Sequence, residues 1–148
     1  MKKIAIVDSS VLIPLLNAGH ENSPRFSAAK AELLKRDVRL MTTHLSVAEV
    51  CVEVMDPEQH RELAAFAIVQ MTDGAARLAG AMMAKRLGKG GTKACVKLDC
   101  LIAALAVEVG AAGVLAEDGD FEAILDGYPV KAWKLADLQP KQLTLPTD

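Results

Sequence analysis

Two hydrophobic periods alternate along this chain. A short β-rich run, Lys3–Val7, stops at Asp8 and reads as a buried first strand. Over residues 23–36, Phe26, Ala29, Leu33 and Leu34 recur at helical spacing, and Pro24 suits the first turn. Val38–Thr43 reads as a second strand. Residues 45–55 read as a helix with Val47, Val50, Cys51 and Val54 on one stripe. Asp56-Pro57 breaks that pattern and opens another helix over about residues 58–71. Asp73 then caps a helix of alanines and methionines that ends near Gly88, and Gly88-Lys89-Gly90-Gly91 reads as a flexible connection. Asp99 opens the next helix, with Leu98, Leu101, Ile102, Leu105 and Val109 apolar. A strand over residues 113–116 leads into the acids Glu117, Asp118 and Asp120. A short helix near residues 121–125 and a strand over 130–133 follow, and the tail after Gln139 reads as loosely held.

Strands alternating with helices imply parallel pairing with helices on the faces. The pattern predicts one α/β domain over residues 1–148, three-layer α/β/α, with a short, mostly parallel sheet of four or five strands. The 51% hydrophobic content fits a packed core and argues against disorder. No apolar run reaches the roughly 18 residues of a transmembrane helix, and Met1-Lys2-Lys3 is followed by too short an apolar run for a signal sequence. A cytoplasmic protein with no membrane association is expected.

Cys51, Cys95 and Cys100 lack metal-binding spacing, so reduced packing residues are expected. His20, His44 and His60 are scattered and read as surface or packing residues. The net charge of −2 gives no global pull on nucleic acid. Its distribution changes that picture: Lys85, Arg86, Lys89, Lys93 and Lys97 form an acid-free basic stretch. Such a stretch is either a solvated helix end and loop or a rim that positions a phosphate backbone. Aromatics are 3% of the chain, too few for an extended base-stacking platform.

The acids carry the candidate chemistry. Asp8 leaves the first strand ahead of Ser9 and Ser10; it is either a helix cap or a cation ligand oriented by a serine hydroxyl. Asp99 either caps its apolar helix or faces a cleft, since a buried lone carboxylate is costly. Glu49 has a structural alternative, because Ser46-Val47-Ala48-Glu49 matches a capping box. Asp118 and Asp120 flank Gly119 past a strand end, one suited to ligation and the other to capping. Carboxylates gathered from separate segments point to a hard divalent cation.

In order, IVDSSVLI (residues 6–13), SVAEV (46–50), KLDCLIAALA (97–106) and GVLAEDGDF (113–121) resemble the motifs of the PIN-domain family of metal-dependent ribonucleases, and within it the small VapC-like toxins. The resemblance runs to about Trp133. It implies that Asp8, Glu49, Asp99 and Asp118 form an acidic pocket for Mg²⁺ or Mn²⁺, with Ser10 supporting Asp8 and Asp120 as a fifth position. It further implies an endoribonuclease acting on RNA phosphodiesters, leaving a 5′-phosphate and a 3′-hydroxyl, a cognate antitoxin protein and a homodimer. The chain departs from the family pattern at Ala116, where Thr or Ser is common. A catalytically silent domain that binds RNA or protein is the alternative. An aspartyl-phosphate phosphatase would want a second Asp two residues after Asp8, where Ser10 stands, and a receiver-like domain would want paired acids at the first strand.

Overall fold

Strand β1 (Lys3–Val7) sends successive side chains to opposite sides, and the molecule is built on that alternation. Ile6, with Ile4 beside it, enters one core with Val114 and the alanines of a long helix; Ala5 and Val7 enter a second with Val11, Leu12 and Leu33. The computed structural model describes residues 2–53, 56–88 and 93–138, the side chains of residues 93–96 excepted. The expected connection at residues 89–91 and the tail after 139 lie outside the described residues, as do Val54 and the side chains of Lys89, Lys93 and Cys95.

The sheet comprises β1, β2 (Val38–Thr43), β3 (Ala67–Val69), β4 (Gly113–Leu115) and β5 (Lys131–Trp133) in the order β3-β2-β1-β4-β5. Every pairing is parallel, and Ile6 stands opposite Met41 on one side and Val114 on the other. One face carries α1 (Ser9–Leu16), α2 (Ser23–Lys35), α3 (His44–Glu53) and α4 (Pro57–Ala64). The other carries α5 (Asp73–Leu87), α6 (Lys93–Glu108) and α7 (Phe121–Ile124). This is the three-layer α/β/α arrangement with helices on both sides of the sheet. A 3-10 turn, Leu135–Leu138, closes the described chain.

Helix α6 explains its own composition. Ile102, Ala103, Ala104 and Ala106 are fully buried, and Ala75 and Ala79 of α5 share their core. Small side chains let the two helices approach while the sheet covers the remaining face. An all-round apolar wheel is what such a sandwiched helix requires.

Four boundaries differ from the sequence expectation, each for a local reason. Residues 65–71 are not helical. α4 ends at its C-cap Ala65, and Ala67–Val69 pairs with β2 from Met41 to Thr43. β-branched Ile68 and Val69 gain a ladder there that a helix would not offer. Residues 9–16 form an unanticipated helix, capped by Asp8, whose pattern is interrupted by Pro14. The cap of α5 is Thr72, which accepts the Ala75 N–H at 3.0 Å, while Asp73 pairs with Arg77. α6 starts at Lys93, so Asp99 lies inside the helix and does not cap it.

Candidate functional site

All five strands run parallel, so their C-terminal ends share one edge of the sheet. From β1 the chain winds outward through β2 and β3, then returns to place β4 and β5 on the other side. The winding reverses between β1 and β4, and α/β proteins build their clefts at such a reversal. Asp8 leaves β1 on one side of that point and Asp118 follows β4 on the other. The Asp8 N–H donates to the Leu115 carbonyl at 3.0 Å and joins the two exits.

Ser10 completes the joint. Its hydroxyl donates to Asp8 Oδ2 at 2.8 Å, and its backbone N–H reaches the same oxygen at 3.2 Å. That hydroxyl oxygen also accepts the N–H groups of Glu117 at 3.0 Å and Asp118 at 3.3 Å. One side chain thus orients the first acid and holds the turn carrying the fourth. Glu117, for its part, accepts the Leu135 N–H and ties the 3-10 turn to this exit.

Glu49 comes from α3, and the capping-box reading of it is incorrect. Thr43 starts the helix: its Oγ1 accepts the Ser46 N–H at 3.1 Å and donates to the Ser46 Oγ at 3.2 Å. With Ser46 already inside the helix, Glu49 is half-buried and lies one turn further on. The Ser9 hydroxyl stands beside it and favours its charged form. Ser9 is buried, and its role was not evident from a serine doublet after a strand.

Asp99 is half-buried on the second turn of α6 and borders Gly119. Gly119 has φ +89°, and a Cβ there would lie 2.9 Å from Asp99 Oδ2. A glycine is needed twice over, for the left-handed backbone and for the close approach. The signal was present as a glycine between two acids, but its neighbour was not.

The titration of these acids describes their common environment. Burial pushes Asp99 up to about 6, and the charges of Asp8, Glu49 and Asp118 push in the same direction. Burial raises Asp8 as well, against hydrogen bonds from Ser10 and the Ser9 amide, with a smaller push from Asp118. Glu49 is raised by burial and then by Asp8. The structure therefore brings Asp8, Glu49, Asp99 and Asp118 into one field that is short of positive charge. Among the described residues no three of these acids close on a single point as a finished metal cage. The donor set nevertheless fits a hard divalent cation: carboxylate oxygens from four segments, mutually repelling and backed by hydroxyls.

The other predicted residues fall elsewhere. Asp120 occupies the N-cap position of α7 without capping it, since its carboxylate pairs with Arg86. Arg86 is accordingly not an open phosphate contact: its side chain is only 19% exposed. Lys85 and Lys97 are exposed and remain available to a backbone. Ala116 is buried, and its N–H is used by the Trp133 carbonyl at 3.0 Å. Cys100 is buried and unpaired in the core, and Cys51 is free and half-buried. His20 accepts the Asn22 N–H at 3.1 Å, while His44 and His60 are exposed. Among the described residues no helix is long and apolar enough to cross a membrane.

A family model described as the PIN domain matches residues 5–125. No curated protein sequence matches the chain. Among solved structures, VapBC-1 from nontypeable Haemophilus influenzae is 16% identical, covering 90% of this chain and 98% of that one with a TM-score of 0.67. VapBC2 from Rickettsia felis, bound to a promoter DNA fragment, is 15% identical over 88% and 98%, with a TM-score of 0.64. VapC20 of Mycobacterium tuberculosis, a sarcin–ricin loop cleaving toxin, is 19% identical over 84% and 95%, with a TM-score of 0.61. These likenesses are of fold.

Proposed function

Because the chain belongs to the PIN-domain family, we propose that it is a metal-dependent endoribonuclease, the toxin of a toxin–antitoxin pair. The observation that carries the reading is Asp99, pushed up to about 6 by burial and by three other acids at the switch-point edge of the sheet. Like charges crowded around a half-buried carboxylate are expected where a cation completes the site. Asp8, Glu49, Asp99 and Asp118 would hold Mg²⁺ or Mn²⁺. When bound, the ion supplies Lewis-acid stabilisation of the phosphoryl oxygens and an acidified water.

The protein's own residues set the stage. Ser10 holds Oδ2 of Asp8 through its hydroxyl and backbone N–H and fixes the Asp118 amide. Ser9 favours the charged form of Glu49. Lys85 and Lys97, outside the acidic cleft, would take RNA phosphates and orient the strand without reading its sequence. The VapBC neighbours support an antitoxin protein as partner, and the family resemblance supports a homodimer.

Incubating the full chain with end-labelled RNA in EDTA or in MnCl₂ tests the reading. Cleavage is expected only with the cation, and Asp99→Asn should abolish it while keeping a wild-type circular dichroism spectrum. Cation-independent cleavage, or full activity in Asp99→Asn, would remove the assignment. Tight RNA binding with no cleavage under any cation would favour the silent binding domain instead.

A further inference from the structure

Arg86 lies in the last turn of α5, four-fifths buried, and pairs with Asp120 across to the turn that precedes α7. Its Nε is buried and has no hydrogen-bond partner among the described residues. A long cation on a helix end ordinarily snorkels to water, so burying it with an unmet donor is costly. The guanidinium therefore joins the end of α5 to the acidic turn. Asp118, Gly119 and Asp120 are consecutive, and Gly119 lies against the Asp99 carboxylate. Ser10 fastens the Asp118 end of this turn through its amide. Arg86 fastens the Asp120 end.

We propose that Arg86 and Asp120 form a positioning pair that sets the Asp118 turn against Asp99 and so governs the cation affinity of the site, with neither residue touching the ion. The proposal rests on the cation reading of the four acids. It makes a prediction opposite in sign to simple electrostatics. Removing a positive charge beside an acidic site should tighten cation binding if charge alone matters. If Arg86 positions the turn, removing it weakens binding.

The experiment is calorimetric titration of Mn²⁺ into the full chain, for wild type, Arg86→Met, Arg86→Lys, Asp120→Asn and the double variant Arg86→Met/Asp120→Asn. Each single loss should weaken Mn²⁺ by roughly tenfold, in the range of residues that support metal ligands. The double variant should be no weaker than either single, because the two act as one unit. Arg86→Lys should recover only part, since it keeps the charge and loses the planar fork. Arg86→Met binding Mn²⁺ as tightly as wild type, or tighter, overturns the proposal. So does weakening confined to Asp120→Asn, which would make Asp120 a direct ligand. If Arg86→Met does not fold, Arg86→Lys decides, because charge alone predicts no change there. Absence of Mn²⁺ binding by wild type would remove the site reading and this pair with it; wild-type binding with unaffected variants removes the pair alone.

Discussion

The Ser10 hydroxyl satisfies one carboxylate oxygen and two backbone N–H groups at once. Ser10→Ala leaves the part-buried Glu117 amide unmet, while the exposed Asp118 amide turns to water, and should cost about 1–3 kcal/mol. Urea unfolding measures it, and an unchanged midpoint would contradict the joint. Asp99 behaves oppositely. Its pKa is about 6 in the folded chain against 3.8 unperturbed, so between those values the folded state binds more protons than the unfolded one. Stability then falls as pH rises through that window; Asp8 and Glu49, raised as well, act in the same direction. In cation-free buffer the melting temperature of wild type should drop from acid to neutral pH. Asp99→Asn should flatten that drop and melt higher at neutral pH while losing activity; a variant that melts lower throughout would contradict the crowding of the acids. Asp8 was legible in the sequence because a buried strand ends on it. Glu49 was not, because its local pattern fits a cap as well as a site, and only the register of α3 distinguishes them.

At the scale of elements, the start of α3 decides where Glu49 points. Thr43 is fully buried and caps the helix through Ser46. Thr43→Ala should cost about 1–2 kcal/mol, as lost caps do. It should also weaken Mn²⁺ binding, since the turn that precedes Glu49 loses its anchor; a purely local loss would change the unfolding midpoint alone. Strand β4 shows a different dependence. Gly113 lies under the Trp133 ring, and a Cβ there would come within 2.6 Å of it. The strand feeding Asp118 is seated by β5 through that contact. Helix α2 was readable from its apolar period, strand β1 from a short β-rich run that stops at a polar turn, and helix α5 from its alanines and methionines. Helix α1 and strand β3 were not. Pro14 disguises the first, and the second is a three-residue edge whose identity comes from pairing with β2.

For the whole molecule, the order β3-β2-β1-β4-β5 places a winding reversal between the two strands that deliver Asp8 and Asp118. Alternation of strands and helices made the layers predictable from sequence. The convergence of four distant acids was inferable only through the resemblance, because it is a property of strand order and carries no local signal. The basic stretch was only partly informative. Arg86 turned inward to Asp120, whereas Lys85 and Lys97 stayed outside. RNA binding by an Asp8→Asn variant should therefore weaken with salt, and adding Lys85→Ala should make the log–log slope shallower by about 0.7. A flat salt response would remove the basic rim from the account.

Four carboxylates from four segments are proposed to make one cation site. Anomalous diffraction from crystals of the full chain grown with MnCl₂ addresses it directly. A manganese peak bounded by oxygens of Asp8, Glu49, Asp99 and Asp118 is expected, absent in crystals of Asp99→Asn. A peak at Asp120 with Arg86 displaced, or no peak at the switch-point edge at saturating Mn²⁺, would contradict it.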